Sequence, residues 1–127
     1  MKKVATDQAP APAGHYSQAI VHDGVVYVAG QIPIDSAGHA LADAPIEEQT
    51  ETVLRNIEAI LHAAGSDLSL VLQMTVYVTD IANWSRVNEV YAKIMGEHRP
   101  ARAVVPVCDL HHGIGVEVQA IAAVEAD

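Results

Sequence analysis

The chain is 127 residues long, carries 7 Lys and Arg against 16 Asp and Glu, and has a formal charge of −9 at pH 7. Half of it is hydrophobic and Phe is absent; that suffices for one domain with a core and argues against disorder. The acidic balance opposes both counterion-driven nucleic-acid binding and adhesion to anionic lipid, and the single cysteine, Cys108, excludes an internal disulfide and fits a reducing compartment.

The start, Met1-Lys2-Lys3, is basic, but Val4 to Gly14 contains Asp7, Gln8, Pro10 and Pro12 rather than an apolar run. No stretch approaches the roughly 20 apolar residues of a membrane span. The expectation is therefore a cytoplasmic protein of one domain, residues 1–127, with residues 1–14 as an extended lead-in without a core of its own.

Two β-type segments follow, Tyr16 to His22 and Val25 to Gln31, and the Asp23-Gly24 pair between them is a hairpin signal. Pro33 to Pro45 reads as loop, with Asp35-Ser36-Ala37-Gly38 as a turn. Ile46 to Ala64 has Ile46, Val53, Ile57, Ile60, Leu61 and Ala64 on one stripe, which predicts an amphipathic helix. Glu47, Glu48 and Glu51 suit its N-terminal dipole, Glu51 and Arg55 are spaced to pair, and Gly65 ends it. Leu70 to Thr79 reads as a strand, with Leu72, Met74, Val76 and Val78 on one face. Asp80 opens a second helix with Trp84, Val87, Tyr91, Ile94 and Met95 as its stripe, and Pro100 stops it. Ala101 to Leu110 and Gly115 to Val124 are closing strands.

The predicted order is β-β-α-β-α-β-β, an α+β arrangement in which two helices cover one face of the sheet. The other face, carrying residues such as Val25, Val104 and Ile121, is apolar as well. A small domain with such a face usually hides it against another copy of itself.

No nucleophile elbow of the Gly-x-Ser-x-Gly kind and no Gly-rich phosphate loop occurs. Cys108-Asp109-Leu110-His111-His112 contains metal-ligating residue types, but strand neighbours point to opposite faces, so too few ligands converge for zinc within one chain. The simpler reading is a polar turn with a small buried thiol. Arg102 opens the apolar run Ala103-Val104-Val105-Pro106-Val107. A guanidinium there needs an anion: either a structural carboxylate or the carboxylate of a ligand, which its fork fits. Glu117 lies between Val116 and Val118, and is either paired with a cation such as Arg102 or kept for proton transfer with a raised pKa. Tyr16 is a packing residue or a ligand donor, Asn88 a backbone partner or a site residue, and Trp84 reads as core.

Taken together, Ala9-Pro10, Gly14-His15-Tyr16-Ser17-Gln18-Ala19, Val26-Tyr27-Val28-Ala29-Gly30-Gln31-Ile32-Pro33, Thr75-Val76-Tyr77-Val78-Thr79-Asp80, Pro100-Ala101-Arg102, Leu110 and Val116-Glu117-Val118-Gln119-Ala120-Ile121-Ala122 resemble the Rid family (RidA/YjgF-like reactive intermediate deaminases) over residues 9 to 124. The resemblance implies a chorismate-mutase-like (YjgF-like) fold and a homotrimer with sheets around a central barrel and ligand clefts between subunits. It implies that Arg102 binds a substrate carboxylate and Glu117 positions the attacking water. Tyr16, Gly30, Asn88 and the backbone of Val104 would complete the site, with no cofactor or metal. The implied substrates are small carboxylated enamines and imines of the 2-aminoacrylate/2-iminopropanoate type, hydrolysed to 2-oxo acids and ammonia. Other activities within reach of the family are non-catalytic metabolite binding, deamination of a larger catabolic intermediate such as 2-aminomuconate, and an endoribonuclease or translation-inhibitor activity, which the charge of −9 opposes. The chain departs from the family pattern at His15, Ala29, Val104, His111-His112 and Gln119.

Overall fold

A computed structural model describes residues 1–125. The elements in chain order are β1 (Lys2–Val4), β2 (Ala19–His22), β3 (Val25–Gln31), α1 (Ile46–Ala63), β4 (Val71–Val78), α2 (Trp84–Met95), β5 (Ala101–Pro106) and β6 (Val116–Ala123). They form one six-stranded sheet in the order β1-β2-β3-β6-β4-β5. Only β4 and β5, joined through α2, run parallel, as a strand-helix-strand crossover requires.

The local reasons are visible in the residues. The β2–β3 hairpin turns at Asp23 and Gly24, with φ of 51° and 76°. Positive φ at both central residues is the twist-matched two-residue turn that an Asp-Gly pair favours. Asp35 organises the next loop: its carboxylate accepts the backbone N–H groups of Ala37 and His39, and its carbonyl that of Gly38. Helix α1 ends as Gly65 takes φ 81°, the left-handed exit that a helix commonly uses. Along its buried side, Val53, Leu54, Ile57, Ile60 and Leu61 are fully covered. They pack on Val26, Met74, Val76, Val118 and Ala122 of the sheet in one apolar cluster.

The structure corrects the expected picture at several points. The lead-in contains strand β1, whose Val4 is buried opposite Ala19. Strand β2 begins at Ala19 rather than Tyr16, because Gln18 turns inward and bonds to the backbone of Thr6 and Pro10. Strand β5 ends at Pro106 rather than running on to Leu110, and the Val107 N–H still donates to the Val78 carbonyl (2.9 Å). In β4, Leu72 is half exposed while Val71 is buried, because the register against β6 slips between Val71 and Gln73. That extra residue reverses the face on which Leu72 was expected. Val104, expected on the uncovered face, instead packs against the core beside its partner Val76. Arg55 pairs with Glu58 rather than Glu51, and Cys108 is exposed rather than buried. Among the described residues, no helix is long and apolar enough to cross a membrane.

Both helices lie on one face of the sheet. Tyr27, Thr75, Tyr77, Glu117, Gln119 and Ile121 occupy the opposite face, where no helix of the chain covers them. Leu54 is fully buried under α1, so Leu54→Ala is expected to lower the unfolding free energy by about 2–5 kcal/mol, read as a shift of the urea midpoint at constant slope.

Candidate active site

The sheet presents two chemically distinct clefts. The first, of about 470 Å³, lies on the open face and is lined by Gly14, Tyr16, Gly30, His111, His112 and Glu117 among others. Glu117 belongs to the central strand β6. Its neighbours Val116 and Val118 face the core, so strand alternation turns its carboxylate to the open side. Strand β3 approaches from the other edge, and its pairing with β6 shifts between Val28 and Gln31. This irregularity brings Gly30 against Glu117 so closely that a Cβ on Gly30 would collide with the carboxylate. A side chain at position 30 would therefore have to push the Glu117 carboxylate out of its present place. Tyr16 closes the cleft above, held in a turn by its backbone N–H donating to the Gly14 carbonyl (3.1 Å).

The carboxylate of Glu117 is half-buried and has no hydrogen-bond donor among the described residues. Burial pushes its pKa above the ordinary glutamate value, and the charge of nearby His111 partly offsets this. A carboxylate kept partly dry beside open space is a candidate base for a water molecule.

The second cleft, of about 560 Å³, lies along α2 and is lined by Asn88, Tyr91, Arg99, Pro100 and Arg102 among others. Arg102 sits opposite Met74 in the parallel β4–β5 register, which sends its side chain to the helix-covered face. There α2 holds it from Trp84, Asn88 and Tyr91, residues spaced four and then three apart on one helical stripe. The guanidinium carbon is 4.7 Å from the Trp84 ring centre and 4.8 Å from that of Tyr91, within cation–π range of both. Its Nη1 donates to Asn88 Oδ1 at 2.9 Å. Among the described residues Arg102 forms no ion pair with a carboxylate, so aromatic faces and an amide hold it while the charge stays unneutralised. Tyr91 is buried, which raises its pKa against the opposing charge of Arg102.

Arg102 and Glu117 therefore do not pair: they stand on opposite faces of the sheet with strand β4 between their strands. Tyr16, Gly30 and Glu117 share the first cleft, and Asn88 and Arg102 share the second. Val104 lines neither; it pairs with Val76 and packs on the core, with its backbone on the edge strand. Three residues carry more than the sequence reading assigns to them. His111 and His112 enter the first cleft, and Trp84, which packs partly buried against the core as expected, also clamps Arg102. The signal for the clamp is present in the sequence as the Trp84, Asn88, Tyr91 spacing. The only signal for the histidines is their place in the loop that leads back to Glu117.

One mixed sheet with both helices on one face and a cleft on either side defines a mixed α+β domain of the L-PSP/YjgF class. The chain belongs to the Rid (YjgF) family: the family model described as Endoribonuclease L-PSP matches residues 6–124. A RutC family protein of Pyrococcus horikoshii is 46% identical over 123 residues, covering 96% of this chain and 98% of that one. The 2-iminobutanoate/2-iminopropanoate deaminase of Rattus norvegicus is 39% identical over 121 residues, covering 95% of this chain and 88% of that one. The crystal structure of E. coli TdcF with bound serine matches with a TM-score of 0.92 and 32% identity, over 98% of this chain and 100% of that one.

The raised pKa of Glu117 has a stability consequence. Between the ordinary value of 4.5 and the raised folded value, the folded state binds more protons than the unfolded, so stability falls as pH rises through that window. Glu117→Gln is expected to melt higher than the parent at neutral pH, with the difference vanishing below pH 4.5; thermal melts at stepped pH check this.

Proposed function

We propose that this protein is a deaminase that hydrolyses small carboxylated enamines and imines, of the 2-aminoacrylate/2-iminopropanoate type, to 2-oxo acids and ammonia. The observation that carries the reading is the separation of Arg102 and Glu117 onto opposite faces, each open and neither neutralised by the other. A homotrimer built on the open sheet faces would bring the Arg102 cleft of one copy to the Glu117 cleft of the next, giving three composite sites. The deaminase name of the rat relative supports the chemistry.

In such a site Arg102 grips the substrate carboxylate with two parallel hydrogen bonds and fixes the imine carbon. Trp84, Tyr91 and Asn88 hold the guanidinium in place beforehand. Glu117 accepts a proton from water as the oxygen bonds to the imine carbon, and the C=N pair moves to nitrogen. The carbinolamine nitrogen takes up a proton, the C–N bond breaks, and the hydroxyl loses its proton as the carbonyl forms. Imine plus water thus becomes 2-oxo acid plus ammonia, with no oxidant or reductant. Gly30 leaves room for the carboxylate and its water.

Two measurements test this. The rate of 2-iminopropanoate hydrolysis, generated in situ, should fall at least about 100-fold in Arg102→Ala and in Glu117→Gln; parental rates in either variant contradict the reading. Mixing is more demanding. Each variant alone lacks one half of every site, whereas a trimer containing both has one cleft with Arg102 and Glu117 intact. Random 1:1 trimers should recover about a quarter of parental activity, and no recovery contradicts the shared site.

A further inference from the structure

We propose that His111 and His112 select imines whose side chain ends in a second carboxylate. The inference rests on the deaminase reading of the same cleft and adds the chemistry of the substrate's far end.

The two imidazoles form a wall of the Glu117 cleft. Among the described residues no Lys or Arg lines that cleft, so they are its only groups able to carry positive charge. Their ring centres are 6.3 Å apart and tilted by 49°. One carboxylate placed between the rings can accept a hydrogen bond of about 2.8 Å from each. His112 has φ 62° and ψ 17°, a left-handed conformation that is strained for a non-glycine residue, and Gly113 follows it with φ 70°. This double turn lies in the connection between β5 and β6, with both side chains at the cleft.

Substrate geometry places the second group there. In the deaminase reading the α-carboxylate is held by Arg102 of a neighbouring copy and the imine carbon stands at Glu117, so the side chain extends along the remaining wall. A cleft of about 470 Å³ in one copy is ample for more than a three-carbon imine. The titratable groups facing the imidazoles are Glu117 from β6 and Tyr16 from the segment before β2, with Asp109 on their own loop. His111 and His112 line the same cleft as Glu117, which puts them beside the place the reading gives the imine carbon.

The test compares kcat/KM for 2-iminoglutarate and 2-iminopropanoate, each generated in situ by an amino-acid oxidase, in the parent and in the His111→Gln/His112→Gln variant. The diacid preference should drop about tenfold or more in the variant. An unchanged preference overturns the proposal. Should the double variant fail to fold by circular dichroism, the two single variants replace it. Calorimetric titration with 2-oxoglutarate and pyruvate separates the two readings. Histidine-dependent preference for 2-oxoglutarate without turnover of any imine supports the selection and overturns the deaminase reading. Turnover of 2-iminopropanoate with no diacid preference does the reverse.

Discussion

Because side chains alternate between the two faces of a strand, burying the core of this sheet also decides where its charges point. Met74 and Val76 of β4 must face the helices to bury their apolar surface, and the parallel register ties Arg102 and Val104 to the same face. Val116 and Val118 face the helices for the same reason, which turns Glu117 outward. A one-residue slip in either strand would move a whole apolar set into water. Core burial therefore holds the cation and the carboxylate apart more firmly than their mutual attraction could draw them together across the sheet.

That separation has an energetic logic. Had the two groups paired, each would have neutralised the other and neither would be ready for a ligand. Instead Arg102 rests between aromatic faces and one amide oxygen, contacts that hold a guanidinium without cancelling its charge. Glu117 lies beside a glycine and lacks a donor among the described residues, and its burial keeps its proton affinity high. Arg102 is held in place, and both groups retain bonding capacity for something outside the chain.

Much of the fold was legible because burial writes itself as period. The α1 stripe, the Asp23-Gly24 hairpin and strand β3 follow from apolar spacing and turn chemistry alone. The misplaced features depend on contacts distant in sequence. Gln18 pins the lead-in from the start of β2, and the slip near Leu72 needs the partner strand β6 to define it. At the site, Arg102 and Glu117 stood out as charges in apolar runs, and Gly30 entered through family resemblance. Their faces, however, follow from register, which no local pattern states. Trp84 read as core because an aromatic on a helical stripe usually is; only the arrival of β5 beside α2 makes it an arginine clamp.

The loop from Pro106 to Val116 shows how a fold of fixed register still admits new chemistry. Strands β5 and β6 are constrained by pairing on β4, and the buried Ile114 and the Gly115 N–H bond to Gln49 anchor the end of the connection, but its exposed part at His111 and His112 is free to vary in what it carries. Here it carries two histidines and turns through His112 and Gly113 to set them beside Glu117. Substituting the exposed pair His111 and His112 touches neither the strand pairing nor the clamp on Arg102. In the proposed deaminase, the parts that would hold the reacting end of a substrate are thus built on strands pinned by the core, while the part that would meet the rest of it sits on a connection, so specificity could change without disturbing the fold that carries the chemistry.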